Sequence, residues 1–234
     1  MIRDKRKSKE YFDQFIAEDT ERIEKRIEKI ENGFFKENRV HLAYEKLFEL
    51  ELGILIAKYS RGDEVKSLLQ DFKILAEYWN RICSLEWIEI AYEESLWFIS
   101  MGLLLREREQ MKVVEQKLKE TGIDDWLFNL LLSDKVSDLG QIEGELLVPE
   151  KYQTLKQAIT ASDKQLMIQY LEKEWYGHLK DYGWYDSHKL TRKSQSIYFG
   201  YWCFEVAAVM KKLNWSDSEL LEQPYYPYEF VHFQ

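Results

Sequence analysis

Turn-forming residues are scarce in this chain. Ten glycines and three prolines stand among 234 positions, near half of the ~12% expected from average usage. An all-β sandwich or barrel needs a turn every ~8–12 residues, so the shortage argues against that class. Between the few breakers, apolar residues recur at three- and four-residue steps, the spacing of one face of an α-helix. Phe12, Phe15, Ile16, Ile23, Ile27 and Ile30 make such a stripe over residues 9–31, with Ser8 placed as N-cap and Gly33 as stop. Glu and Lys or Arg alternate at helical spacing on the opposite side, as on an exposed, salt-bridged face.

The same period continues through Val40–Tyr59, with Ala43, Leu47, Leu50, Ile54 and Ala57 on one side, and through Val65–Ile82 beyond an Arg61-Gly62-Asp63 break. Residues 86–105 are apolar almost all round beyond Ser95 and read as one central buried helix. Further helices are expected at about 108–120, 124–132, 150–160, 163–176 and 196–213. The string Ser216-Asp217-Ser218-Glu219 has the form of a capping box for a last short helix. Pro224 and Pro227 make the tail after Gln223 extended, packed down by its aromatic residues. The expectation is an all-α, multi-helix bundle with an amphipathic N-terminal helix and an extended aromatic C-terminal tail. A boundary in the loop Ser133–Pro149 divides it into residues 1–135 and 136–234, two helical parts sharing one core.

The net charge of −9 is unevenly spread. Residues 1–60 hold 13 basic and 13 acidic side chains, residues 151–234 hold 10 and 10, and residues 61–150 hold 10 and 19. An acidic section repels nucleic acid and anionic membrane and attracts a basic partner. On charge alone, a solvated acidic face kept for solubility is the favoured reading. The longest charge-free apolar run, Ser95–Leu105, has 11 residues against the ~20 a bilayer span needs. The basic opening has no apolar core of a secretory signal after it, so a cytoplasmic location is the default. Cys83 and Cys203 are too isolated to argue a disulfide or a metal site.

Catalytic patterns are sparse. Glu86, Glu89 and Glu93 stand at i, i+3 and i+7, but a di-metal carboxylate bundle also needs Glu-x-x-His pairs on two other helices. One such pair exists, Glu229 with His232, and it lies in the proline-bearing tail. Asp186-Ser187-His188 puts acid, hydroxyl and imidazole on consecutive loop positions, which is not a triad geometry. No phosphate-binding glycine loop, nucleophile elbow or His-Glu-x-x-His string occurs. Aromatics are dense between Trp175 and Phe204. There Trp202 and Phe204 read as core, while Tyr185, Asp186 and His188, with polar tips on a loop, suit an interface.

The strings GWYDSHK at 183–189, YFGYWCFEVAAVMKKL at 198–213 and PYYPYEFVH at 224–232 resemble the C-terminal domain of the PoNe immunity proteins, called PoNi. The opening RDKRKSKEYFDQFI at 3–16 resembles the start of that family's N-terminal domain. The resemblance implies an all-helical bacterial protein that binds and neutralises a toxin delivered between competing cells. The family's toxins are DNases similar to the PD-(D/E)xK nucleases. It implies no cofactor, no catalytic role and no particular contact residue.

A DNase must hold a polyanion, so its cleft should be basic, and an acidic inhibitor can use its field both to speed association and to oppose substrate. On that ground Glu86, Glu89, Glu93, Glu94, Asp124 and Asp125 are expected to contribute to toxin binding, beside Tyr185, Asp186 and His188. The expectation is a stoichiometric inhibitor without metal, membrane or direct nucleic-acid partner; the long N-terminal helix leaves a homodimer open. Two alternatives are a helical carboxylate-metal hydrolase and an adaptor that binds a toxin without inhibiting it.

Overall fold

The computed structural model describes residues 2–133, 139–181, 183, 185–190 and 196–234. Among these the architecture is all-α. The sole β-type pairing is an isolated parallel bridge between Asp125 and Glu145. The chain forms two compact units, Met1–Cys83 with Gly183–Tyr201, and Ser84–Tyr182 with Trp202–Gln234. The boundary expected between residues 135 and 136 lies outside the described residues, as does Trp184.

In the first unit, α1 (Lys9–Glu31), α2 (Val40–Arg61) and α3 (Leu69–Ile82) pack in series. The Ser8 hydroxyl caps α1 by accepting from Tyr11 N at 3.3 Å, and Gly62 ends α2 at φ +107°, a conformation that side chains with a Cβ adopt at a cost. The α1 stripe meets α2 in a cluster of Ile23, Leu47, Leu50 and Ile54, flanked by Ile16, Ile27 and Ile30. The two helices also approach closely at Gly53, where an added Cβ would lie 3.3 Å from the Phe15 ring. Phe72, Leu75, Ala76 and Trp79 of α3 are buried.

Residues 196–201 are not helical, against the expectation of a helix over 196–213. Their polar backbone groups are taken by tertiary partners. Ser196 N donates to Glu18 Oε2 at 3.2 Å, Tyr198 N to the Tyr11 hydroxyl at 2.8 Å, and Ser60 Oγ to Phe199 O at 2.7 Å. Gly200 at φ +127° would break a helix in any case. The N-terminal residues are held beside them: Arg3 N and Asp4 N both donate to Ser60 O at 3.0 Å, and the Tyr198 hydroxyl donates to the buried Asp4 carboxylate.

In the second unit, α5 (Tyr92–Leu104) is surrounded by α4 (Leu85–Ile90), α6 (Arg108–Thr121), α7 (Trp126–Leu132), α11 (Phe204–Lys212) and the one-turn α12 (Tyr228–Val231). Leu96, Trp97, Phe98, Ile99 and Met101 are all buried, which is why this stretch shows no polar face. The single helix expected over 86–105 is broken at Ala91 (φ −115°, ψ +39°). Further on, α8 (Pro149–Thr160) packs on α9 (Lys164–Gln169), which widens into a π-turn at Tyr170–Glu174 and continues as α10 (Trp175–His178).

Ser216 does not cap a helix: its hydroxyl lies 3.3 Å from the Ser218 hydroxyl, and only a 3₁₀ turn, Ser218–Leu220, follows. Asp217 is drawn instead to the tail, accepting from the Tyr226 hydroxyl at 3.0 Å and facing His232 Nε2 at 3.1 Å. The aromatic packing expected of the tail is present, but the tail is not extended throughout: Pro227 precedes one helical turn, Tyr228–Val231, where a proline at the start costs no hydrogen bond. Tyr225 stacks on Tyr176, and Phe230 is fully buried against Phe204.

Two buried carboxylates make stability depend on pH. Burial pushes Glu51 in α2 up to about 7 from an ordinary 4.5, helped by the nearby Asp71 charge and opposed by Lys58. Burial pushes Glu205 in α11 to about 7 as well, although Trp175 Nε1 donates to it at 2.7 Å. The folded chain therefore keeps protons that the unfolded chain has released. The contribution of these two groups to stability is full below pH ~4.5 and is lost as the pH rises through 7, by on the order of 3 kcal/mol for each group. Urea unfolding between pH 4.5 and 8 should show this fall, and Glu51→Gln with Glu205→Gln should flatten it. A wild-type stability that rises over that interval would contradict the assignment.

Candidate functional site

The acidic surplus narrows further once the units are known. Residues 61–83 hold four basic and four acidic side chains, so the whole deficit of nine falls in residues 84–150 of the second unit. A surplus of this kind acts on a partner only where it is exposed and not neutralised locally.

Helix α4 meets both conditions. Ser84 Oγ caps it, accepting from Trp87 N at 3.2 Å, and Trp87 and Ile88 are buried. That anchorage turns Leu85, Glu86, Glu89 and Ile90 to solvent. Leu85 is 45% exposed and Ile90 75%, and Glu86 and Glu89 are exposed and pair with no basic side chain among the described residues. Two large apolar groups flanking two such carboxylates resemble an interface core with its own charged rim. The sequence reading found the glutamates and missed Leu85 and Ile90. The helix expected over 86–105 took in Ile90 as part of one buried element; in the structure α4 ends at Ile90, next to the break at Ala91, and Ile90 faces solvent.

Glu93 and Asp125, expected on the same acidic surface, are buried. Glu93, beyond the break, turns inward and meets Lys151 Nζ of α8 at 2.6 Å. Glu86, Glu89 and Glu93 therefore do not line one helix face. Asp125 is the N-cap of α7. One oxygen accepts from Phe128 N and the Tyr92 hydroxyl, both at 3.0 Å, and the other accepts from Leu147 N at 2.9 Å. These bonds lower its pKa, but burial outweighs them and leaves it raised. Glu94 is half-buried in the first turn of α5, whereas Asp124 is exposed and accepts from Asn129 Nδ2 at 2.7 Å.

The three loop residues belong to the first unit. Tyr185 is half-buried. Asp186 sits at φ +56° and bridges to Lys189 at 2.8 Å. His188 Nδ1 lies 3.1 Å from the Tyr201 hydroxyl, edge-on to that ring; burial, then the charge of Arg6, lower its pKa. Asp4, Arg6, His188, Tyr198 and Tyr201 thus form one polar and aromatic clasp, with the Arg6 guanidinium 5.5 Å from the Tyr201 ring centre. The strings that stood out in the sequence fasten the scaffold here, as the tail string does in the second unit through Tyr225, Tyr226, Phe230 and His232. Among the described residues no three His, Cys, Asp or Glu side chains converge as a metal set, and no helix is long and apolar enough to cross a membrane.

Fold and surface together define an all-helical protein whose net charge is gathered on one of two units. Residues 3–116 match the family model of the PoNe immunity protein (PoNi) N-terminal region, and residues 123–230 match that of the PoNe immunity proteins (PoNi) C-terminal region. The chain belongs to the PoNe immunity protein family. No curated protein matches it. The crystal structure of protein PA2201 from Pseudomonas aeruginosa is similar, with a TM-score of 0.57 and 19% identity over 82% of this chain and 74% of that one. At that identity the likeness bears on the fold alone.

Proposed function

We propose that this chain neutralises a PoNe nuclease by binding it through the acidic surface of residues 84–150, with α4 as the central contact, and so covers the basic cleft that holds DNA. The observation that carries the reading is the exposed face of α4, where Leu85 and Ile90 stand beside Glu86 and Glu89, unpaired among the described residues, in the section that holds the whole charge surplus. The carboxylates steer a basic partner at long range, and the apolar groups supply short-range contact once water is expelled. Glu93 and Asp125 serve this surface from beneath, by holding α5 and α7 in place. No turnover is required, because occupancy at one-to-one stoichiometry suffices.

The test is a tagged pull-down from the native bacterium, with the captured nuclease assayed on DNA in the presence and absence of this chain. Cleavage silenced at an equimolar ratio is expected. A partner that cuts as fast when bound would make the chain an adaptor instead of an inhibitor.

A further inference from the structure

The second unit carries a groove, apart from the exposed face of α4, with a volume of about 460 Å³. It lies between the C-terminal end of α6, the turn Gly122–Asp124, the end of α7 and residues 141–143. Its floor is apolar: Leu118 and Ile123 are buried, and Leu132 and Ile142 are half-buried. Its rim carries the carboxylates of Glu115, Asp124 and Glu143; among the described residues that line it the one cation is Lys119, which pairs with Glu115 at 2.5 Å.

The rim is held in place from within. Asn129 Nδ2 donates both to Asp124 Oδ1 at 2.7 Å and to Glu143 O at 3.0 Å, tying the two sides of the groove together. Gly144 at φ +91° lets the chain come close enough to do this, since a Cβ there would lie 2.9 Å from Asp124 Oδ1. Trp126 N donates to Glu145 O at 3.0 Å and Leu147 N to Asp125 Oδ2 at 2.9 Å, so the strip beyond is fixed as well. A concavity set before binding costs little ordering when a partner enters.

An apolar floor under a carboxylate rim matches one side-chain chemistry. A long basic side chain buries its methylene stem on apolar surface while its charged head stays at the polar edge, and a guanidinium can engage more than one carboxylate at once. A volume within the ~300–1,000 Å³ range of ligand-sized pockets admits such a side chain with one apolar neighbour, and not a folded element. We infer that this groove is a second contact for the nuclease: it receives a projecting arginine or lysine of the toxin, flanked by an apolar residue. The inference rests on the inhibitor reading above and adds the specific segment that the acidic unit grips.

Binding of the captured nuclease to the full chain tests it by titration calorimetry. Ile142→Trp fills the groove without altering charge, and Glu143→Lys reverses one of the rim charges. Each is expected to weaken binding at least tenfold, with melting curves showing both variants folded. Hydrogen exchange on the wild-type complex should show added protection at residues 122–124 and 142–144, a readout that needs no variant. Unchanged affinity for both variants and no added protection, while Glu86→Lys with Glu89→Lys weakens binding, would overturn the groove and leave the α4 reading standing. If the α4 variants also bind as tightly as wild type, the acidic-surface reading falls too.

Discussion

Replacing both Glu86 and Glu89 by lysine is expected to slow association with the nuclease about 10- to 100-fold at low salt, and to flatten its dependence on ionic strength. The two carboxylates are exposed, carry no basic partner among the described residues, and sit in the section that holds the whole surplus, so reversing them changes the local charge by four. Steering by such fields accelerates encounter by roughly 10–10³-fold and is screened over ~8–10 Å at ordinary salt. The effect belongs to the on-rate. Ile90→Ala on the same helix should act on the off-rate, because a 75%-exposed isoleucine gains only on close contact; a central anchor of this kind is worth ~2 kcal/mol, or about 30-fold. Stopped-flow association at several salt concentrations, with dissociation measured separately, resolves the two. An on-rate indifferent to the charge reversal would reduce the surplus to a solubility feature.

The largest stability effect is expected at Asp125. Asp125→Ala leaves Phe128 N, Leu147 N and the Tyr92 hydroxyl without their acceptor in a buried site. A lost N-cap costs about 1 kcal/mol and each stranded buried donor ~1–3 kcal/mol, so a total near 4 kcal/mol is expected, read as a shifted urea midpoint. Asp125→Asn keeps an acceptor oxygen and should cost much less. Because the carboxylate is buried, Asp125→Asn should also leave nuclease affinity within twofold of wild type. A large loss of binding with the fold intact would instead place Asp125 at the interface.

These two sites show how differently the sequence spoke about charge. Composition located the acidic surplus, but it could not sort carboxylates that face water from those that cap or bridge. Glu86 and Glu93 look alike at i and i+7; the break at Ala91 separates them, leaving one unpaired and sending the other to Lys151. Asp124 and Asp125 are sequence neighbours, yet one rims a groove and the other is a buried cap. Leu85 and Ile90 were invisible for the converse reason, since an apolar residue in an apolar run reads as core until its exposure is known. The failed helix over 196–203 has a related cause: Ser196 and Tyr198 donate to Glu18 and Tyr11, 178 and 187 positions away, and no local propensity carries that information.

The sequence by itself determined the helical class and most element ends. Helical period, Ser8, Gly33 and Gly62 act within a few residues of one another, and local interactions are written in local order. It also determined that the net negative charge lies between residues 61 and 150, since charge counts need no coordinates. Only the tertiary structure decided which carboxylates are free, which apolar groups are exposed, and that Met1–Cys83 forms one unit with Gly183–Tyr201. Those outcomes depend on contacts between distant segments, whose energies come from burial and from satisfying buried polar groups, and neither can be read from a residue and its neighbours alone.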